Sequence, residues 1–176
     1  MTATNETGLL HRQVEELKAE NVMLKQKMMS SSLDGASACE SEELLNATQR
    51  LSKVGGWEWN IEKQTMFWTE EAYRIHDFMI GELVPGSPEH IEKSLACYEP
   101  ADRPLIRNAF LRCAERGEPY DFELPFTTAA GRKLWVRTTA QPVWDNDRIV
   151  SVVGNIMDIT DRKSAQVQLA QAVGGG

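Results

Sequence analysis

The sequence predicts an α+β fold, a five-stranded antiparallel sheet with helices on one face, preceded by a coiled-coil helix. From Trp57 onward the apolar residues alternate with polar ones at a period of two. Helix start and stop signals then fill the stretch from about 70 to 117. Three further strand-like runs, separated by Gly131 and by Asn146-Asp147, follow. The order strand–strand–helices–strand–strand–strand inserts the helices between two hairpin groups.

Residues 9–29 carry the first element. Leu10, Leu17 and Leu24 fall seven apart, and Val14, Asn21 and Met28 fall seven apart between them. With leucine at d, and valine and asparagine at a positions, the pattern favours two parallel strands, the Asn amide pairing with its counterpart across the axis. Glu20 at g can meet Lys25 at e of the other helix, whereas Val22 and Met23 at b and c are apolar where a plain zipper is polar. The alternative is one amphipathic helix packed on its own domain. The stretch resembles the zipper of basic leucine-zipper proteins, but those grip DNA through an upstream basic region, and residues 1–9 hold no Lys or Arg. A net charge of −7 also argues against a phosphate-backbone partner.

Ser30 to Gly35 reads as a linker. A helix starts near Ser37 or Ser41, Ser37 and Glu40 having capping-box spacing, and Leu44, Thr48, Leu51 and Val54 share a face before Gly55-Gly56 stops it. Trp57, Trp59 and Ile61 form a strand, Glu62-Lys63-Gln64 a turn, and Thr65–Thr69 the return. A helix covers about Glu70–Phe78. Ser87-Pro88 opens another, with Ile91, Leu95 and Tyr98 on one face. Asp102 caps a third, with Ile106, Phe110 and Cys113 inward and Gly117 at its end. Strands at about 119–128, 133–144 and 148–158 lead to a helix over Asp161–Val173 and a glycine tail. These strands are apolar on both faces, so one face can line a pocket and the other needs cover from the helix at 41–54 or a partner subunit.

Four segments now line up: Gly55-Gly56-Trp57-Glu58-Trp59-Asn60, Glu99-Pro100-Ala101-Asp102-Arg103, Gly131-Arg132-Lys133-Leu134-Trp135-Val136-Arg137, and the run from Gly154 through Asp158-Ile159-Thr160 to Lys163. In this order they resemble a PAS domain with its C-terminal PAC motif, over about residues 41–165. The resemblance implies the PAS fold, a pocket between sheet and helices, dimerisation, and output through the flanking helices to a downstream effector domain or protein. The chain then divides into a coiled coil at 1–29, a linker at 30–40, a PAS/PAC domain at 41–160, and the start of a signalling helix with its tail at 161–176. Three positions depart from the family: Glu99 stands where a His is frequent, Ala101 where the first acid is, and Asp77 where Gly is common.

The chemistry-bearing residues are sparse. No phosphate loop, nucleophile elbow or paired-histidine metal helix is present, so a non-enzymatic sensory module is expected, with no metal. The start has no secretory pattern and no apolar run of roughly 18 residues occurs, which with three cysteines and no C-x-x-C pair predicts a cytoplasmic protein. His11, His76 and His90 read as scattered, and His90, beside apolar Ile91, is expected at the surface while being the one weak candidate for cofactor binding. Covalent flavin photoreceptors of the family need a cysteine in an Asn-Cys-Arg-Phe-Leu-Gln segment, and neither Cys97 nor Cys113 matches. Cys113 reads as a small core residue. No cofactor is predicted; a heme- or flavin-bearing sensor and a ligand-free dimerisation adaptor are the alternatives. The expected partners are a second copy, through Leu10, Val14, Leu17, Asn21, Leu24 and Met28, and a small-molecule ligand, with neither nucleic acid nor membrane. Asp158, Ile159 and Thr160 are the expected signal junction.

Overall fold

A computed structural model describes residues 41–174. The chain divides into two units, residues 1–45 and 46–176. The six seam positions of the expected coiled coil, His11, Cys39 and the 30–40 linker lie outside the described residues.

Helix α1 is described over 41–52, followed by β1 (Val54–Asn60), β2 (Thr65–Trp68), α2 (Glu70–His76), α3 (Glu89–Ala96), α4 (Arg103–Arg116), β3 (Tyr120–Thr127), β4 (Lys133–Asp145), β5 (Arg148–Asp158) and α5 (Thr160–Gly174). The strands form one antiparallel sheet in the order β2-β1-β5-β4-β3. This is the architecture that the alternation and turn residues predict. Asn146 turns the β4–β5 hairpin at a φ of 54°, in the left-handed region that Asn tolerates.

Alternation sorts the strand residues into two faces. Trp59, Met66, Phe126, Val136, Ala140, Val152 and Ile156 are buried. They pack against Ala72 and Ile75 of α2, Leu95 of α3, and Ile106 and Cys113 of α4. Cys113 is wholly buried, the small core residue expected. The intervening residues Phe67 and Trp135 lie on the other face and are exposed.

Four local expectations need correction. Helix α1 ends before Lys53, whose φ is 54°, and Gly55-Gly56 belong to β1 rather than stopping a helix. The reason is a close approach: a Cβ on Gly55 would lie 2.4 Å from the Ala72 backbone, so the glycine lets α2 sit on the strand. The stripe through Leu51 and Val54 is not a buried helix face either, because Val54 is in the strand and Leu51 is 88% exposed. Asp102 stands at the N-cap of α4 but its side chain makes no capping bond. Ser87 accepts the Glu89 N–H at 3.1 Å, but the N-cap of α3 is Pro88 rather than the expected Ser87.

Candidate functional site: an aromatic cavity and its strand junction

Between the inner sheet face and α3 and α4 lies a cavity of about 580 Å³. Its size is within the roughly 300–1,000 Å³ of small-molecule sites. The sheet contributes Trp57 and Trp59 from β1, Met66 and Trp68 from β2, Tyr120 from β3, Thr138 from β4 and Ile156 from β5. Ile91 and Leu95 of α3, and Ile106 and Phe110 of α4, face them. Phe110 sits 6.1 Å from Trp57 and 6.2 Å from Trp59, ring to ring. Trp57 can lie across β5 because position 154 is glycine: a Cβ there would come within 2.4 Å of the indole and of the Thr139 carbonyl. Three of the five tryptophans therefore line the cavity, rather than serving only as core or dimer surface.

Histidines 76 and 90, which read as scattered, converge on Trp68. The His76 ring stacks on it at 4.2 Å, and His90 meets it edge-on at 4.9 Å. The expected surface placement of His90 is wrong, since it is fully buried. The physical reason is local satisfaction of its polar atoms: Nδ1 bonds the Ser87 carbonyl at 2.7 Å and Nε2 bonds the Tyr73 hydroxyl at 2.7 Å. His76 is satisfied likewise, Nδ1 donating to the Ala72 carbonyl at 2.7 Å and Nε2 bonding the Ser94 hydroxyl at 3.0 Å. A carbonyl only accepts, so Nδ1 carries the proton in both rings. Burial pushes the His76 pKa down to about 4, with His90 lowering it further and Asp77 opposing.

These bonds bear on heme. Axial ligation needs a ring nitrogen free to meet iron, and both nitrogens of both cavity histidines are engaged, so the residues do not fit that group. They do not fit a thiol-linked flavin either. Cys97 donates to the Lys93 carbonyl, burial pushes its thiol up to about 11, and neither it nor Cys113 lines the cavity. Among the described residues no group of His, Cys, Asp or Glu could hold a metal ion, and no helix is long and apolar enough to cross a membrane.

Strand β5 runs from the cavity to the end of the sheet. Ile156 lines it, and two residues on, from the same face, Asp158 ends the strand. The Asp158 carboxylate accepts the Thr160 N–H at 2.9 Å and the Thr160 hydroxyl at 2.6 Å, while the Thr160 oxygen accepts the Trp135 N–H at 3.0 Å. Ile159 is buried and donates its N–H to the Trp135 carbonyl at 2.8 Å. All three expected junction residues thus meet where β4, β5 and α5 come together. Beyond them α5 is held by ion pairs from Arg162 and Lys163 to Glu123 and from Asp161 to Lys53.

Asp77 has its own anchor. It closes α2 at a φ of 61°, a left-handed position that explains the family's glycine, and Arg132 clamps its carboxylate through two bonds of 2.8 and 2.7 Å. Arg132 also donates to the Arg74 carbonyl at 3.3 Å, so the end of α2 is held to the β3–β4 hairpin. Sequence reasoning missed the two histidines and the cavity hydroxyls. A signal existed for Thr138, a polar residue in phase with Leu134, Val136 and Ala140. None existed for the Tyr73–His90 bond, which joins residues 17 apart.

An open antiparallel sheet cupping a ligand-sized cavity over short helices is the architecture of a sensory module. The sequence pattern of the PAS fold family matches residues 65–156, more than half of the chain, and the chain belongs to that family. It is similar to blue-light-activated histidine kinases of Brucella ovis and Brucella abortus, 26% identical over 130 residues that make up 74% of this chain and 25% of those proteins. The chain thus spans about a quarter of the length of these curated relatives. Among solved structures it resembles a sensory box histidine kinase/response regulator from Burkholderia thailandensis (TM-score 0.56, 24% identity, 74% of this chain and 95% of that one). An RNA-binding light-oxygen-voltage receptor is similar as well (TM-score 0.55, 22% identity, 70% of this chain and 33% of that one). These structural likenesses show the fold. The chain is a PAS sensor module of the signal-transduction type.

Proposed function

We propose that this chain is a non-catalytic sensor that holds a small molecule non-covalently in the aromatic cavity and passes its presence to α5. The observation that carries this reading is the double role of β5, which lines the cavity with Ile156 and caps α5 with Asp158. A ligand that spreads the sheet from α4 shifts β5, and the three-residue junction converts that shift into a change at the first turn of α5. Dimerisation through Leu10, Val14, Leu17, Asn21, Leu24 and Met28 would pair the module with a second copy, and α5 would pass the signal to an effector domain or protein.

The test has two parts. The absorption spectrum of the freshly purified protein is expected to show tryptophan and tyrosine bands alone. A Soret band overturns the reading, with His90→Ala as the first variant to examine. Flavin bands would replace it with a non-covalent flavin sensor, an outcome that the tryptophan walls and the light-activated relatives favour over heme. Spin labels at Asp147 and Gln168 of the full chain then report α5 against the sheet. A ligand is expected to shift their distance distribution, and Asp158→Ala or Thr160→Ala to abolish the shift; an unchanged response in both variants leaves Asp158 as a helix cap only. For assembly, a monomeric mass by light scattering at micromolar concentration overturns the proposed seam.

A further inference from the structure

Resting on the reading of the cavity as a binding site, we propose that the Glu92–Arg107 ion pair is a side-chain latch across the cavity mouth, which opens for a ligand to pass. Exposure locates the mouth. The lining residues exposed to solvent are Gln64 in the β1–β2 turn, Pro88 and Glu92 at the start of α3, and Arg107, Leu111 and Glu115 of α4. Helical spacing explains this grouping. Residues 107, 111 and 115 fall four apart and form one row along α4, while Ile106, Phe110 and Ala114 form the neighbouring row, packed toward the sheet. Pro88 and Glu92 also fall four apart. The mouth is therefore a slot between the outer rows of α3 and α4.

One ionic contact spans that slot. The Arg107 guanidinium donates to both oxygens of Glu92, at 3.1 and 3.0 Å, and among the described residues no other ion pair joins α3 to α4. The backbones on either side are fixed by other means. Where α3 hands over to α4, Arg103 donates to the Ala96 and Tyr98 carbonyls at 3.0 Å each. At the start of α3, His90 is bonded to the Ser87 carbonyl and the Tyr73 hydroxyl. The slot thus opens by rotation of two side chains rather than by movement of a helix. Both are free to rotate, the Arg107 side chain being 50% exposed and that of Glu92 64%. Their charged heads already touch water, so parting them costs little and salt makes it easier. A swung-out pair leaves Leu111 as an apolar lip to the cavity.

The test measures access and needs no ligand. In the full chain carrying Trp135→Phe and Trp144→Phe, the remaining tryptophans, Trp57, Trp59 and Trp68, all line the cavity, and neutral acrylamide quenches them as it reaches them. Glu92→Gln and Arg107→Gln are each expected to raise the quenching constant about twofold to fivefold, the change in open population that an exposed ion pair commands. The charge swap, Glu92→Arg with Arg107→Glu, is expected to restore the parent value. High salt should raise quenching in the parent but not in the two Gln variants. Glu118→Gln breaks the exposed Arg112–Glu118 pair of 3.1 Å, whose residues do not line the cavity, and is expected to change nothing.

Equal quenching in the parent and both Gln variants overturns the latch. So does a rise of the same size in Glu118→Gln, which would assign the effect to general loosening, or a charge swap that fails to restore the parent value. Each of these outcomes leaves the cavity as a binding site. That reading fails separately, and the role of the latch with it, if no member of a fragment library shifts the tryptophan emission of either the parent or the Gln variants.

Discussion

The face of the sheet that lines the cavity is closed by rings and neutral hydrogen bonds, whereas the opposite face is laced with exposed ion pairs. On the inner side, Trp68 packs against both histidines, and Phe126 stands edge-on to His76 and to Tyr98, 5.1 and 5.0 Å between centroids. On the outer side, Arg137 pairs with Asp121, Glu123 pairs with Arg162 and Lys163, and Lys163 lies 4.8 Å over the Trp135 ring. Burial gives the first set energies that salt does not screen; exposure leaves each ion pair screened by solvent and salt and individually weak. A sensor gains from this division. In the proposed sensor the cavity wall is packed ring against ring, and the outgoing helix rests on contacts weak enough to be rearranged by a ligand of ordinary affinity.

Removing a ring from the inner wall should have the largest effect. Phe126→Ala is expected to cost about 3–5 kcal/mol in urea unfolding, because the site is fully enclosed and cannot collapse. A loss below 1 kcal/mol would show that the inner wall is as soft as the outer face.

Acid should be the next strongest probe. The unfolded imidazole of His76 titrates near 6.5 and the folded one near 4, so in that window the unfolded chain binds the extra proton. Stability should therefore be full above about pH 6.5 and fall as the pH drops toward 4, by on the order of 3 kcal/mol. His76→Gln should flatten this part of the profile measured by denaturant titration. An unchanged slope in that variant would mean that the ring is not held neutral by burial.

At the junction, Asp158→Ala and Thr160→Ala are each expected to cost about 0.5–2 kcal/mol, as lost helix caps do. Thr160→Ser keeps the hydroxyl that accepts the Trp135 N–H and should restore most of the loss. Failure of that rescue would assign the effect to packing of the threonine methyl group.

The smallest effect belongs to the outer face. Arg162→Ala should lower stability by less than about 1 kcal/mol, and the difference from the parent protein should vanish at 1 M salt, where the Debye length is about 3 Å. A loss that persists in salt would show that α5 is held by more than charge.

Much of the fold was legible in the sequence because strand alternation, turn residues and helix caps are local signals. Gly131, Asn146 and Gly117 stand where the turns and the end of α4 are, and the Asp158-Ile159-Thr160 motif lies where β5 hands over to α5. The end of α1 was misread because Gly55 is spaced by its approach to Ala72, a residue on another element. The candidate site was legible only in outline. The phases of Trp57, Trp59 and Thr138 put them on the inner face, but nothing local relates His76 to His90.

The sequence by itself determined the order of the elements, the face each strand residue takes, and the junction that ends β5, since each depends on neighbours a few positions away. Only the tertiary structure decided that two histidines share one tryptophan, that their nitrogens are all engaged, and that Tyr98, Tyr120 and Thr138 line the same cavity. Those outcomes depend on which groups burial strips of water, and a buried polar atom takes whatever partner packing brings within about 3 Å, however distant along the chain.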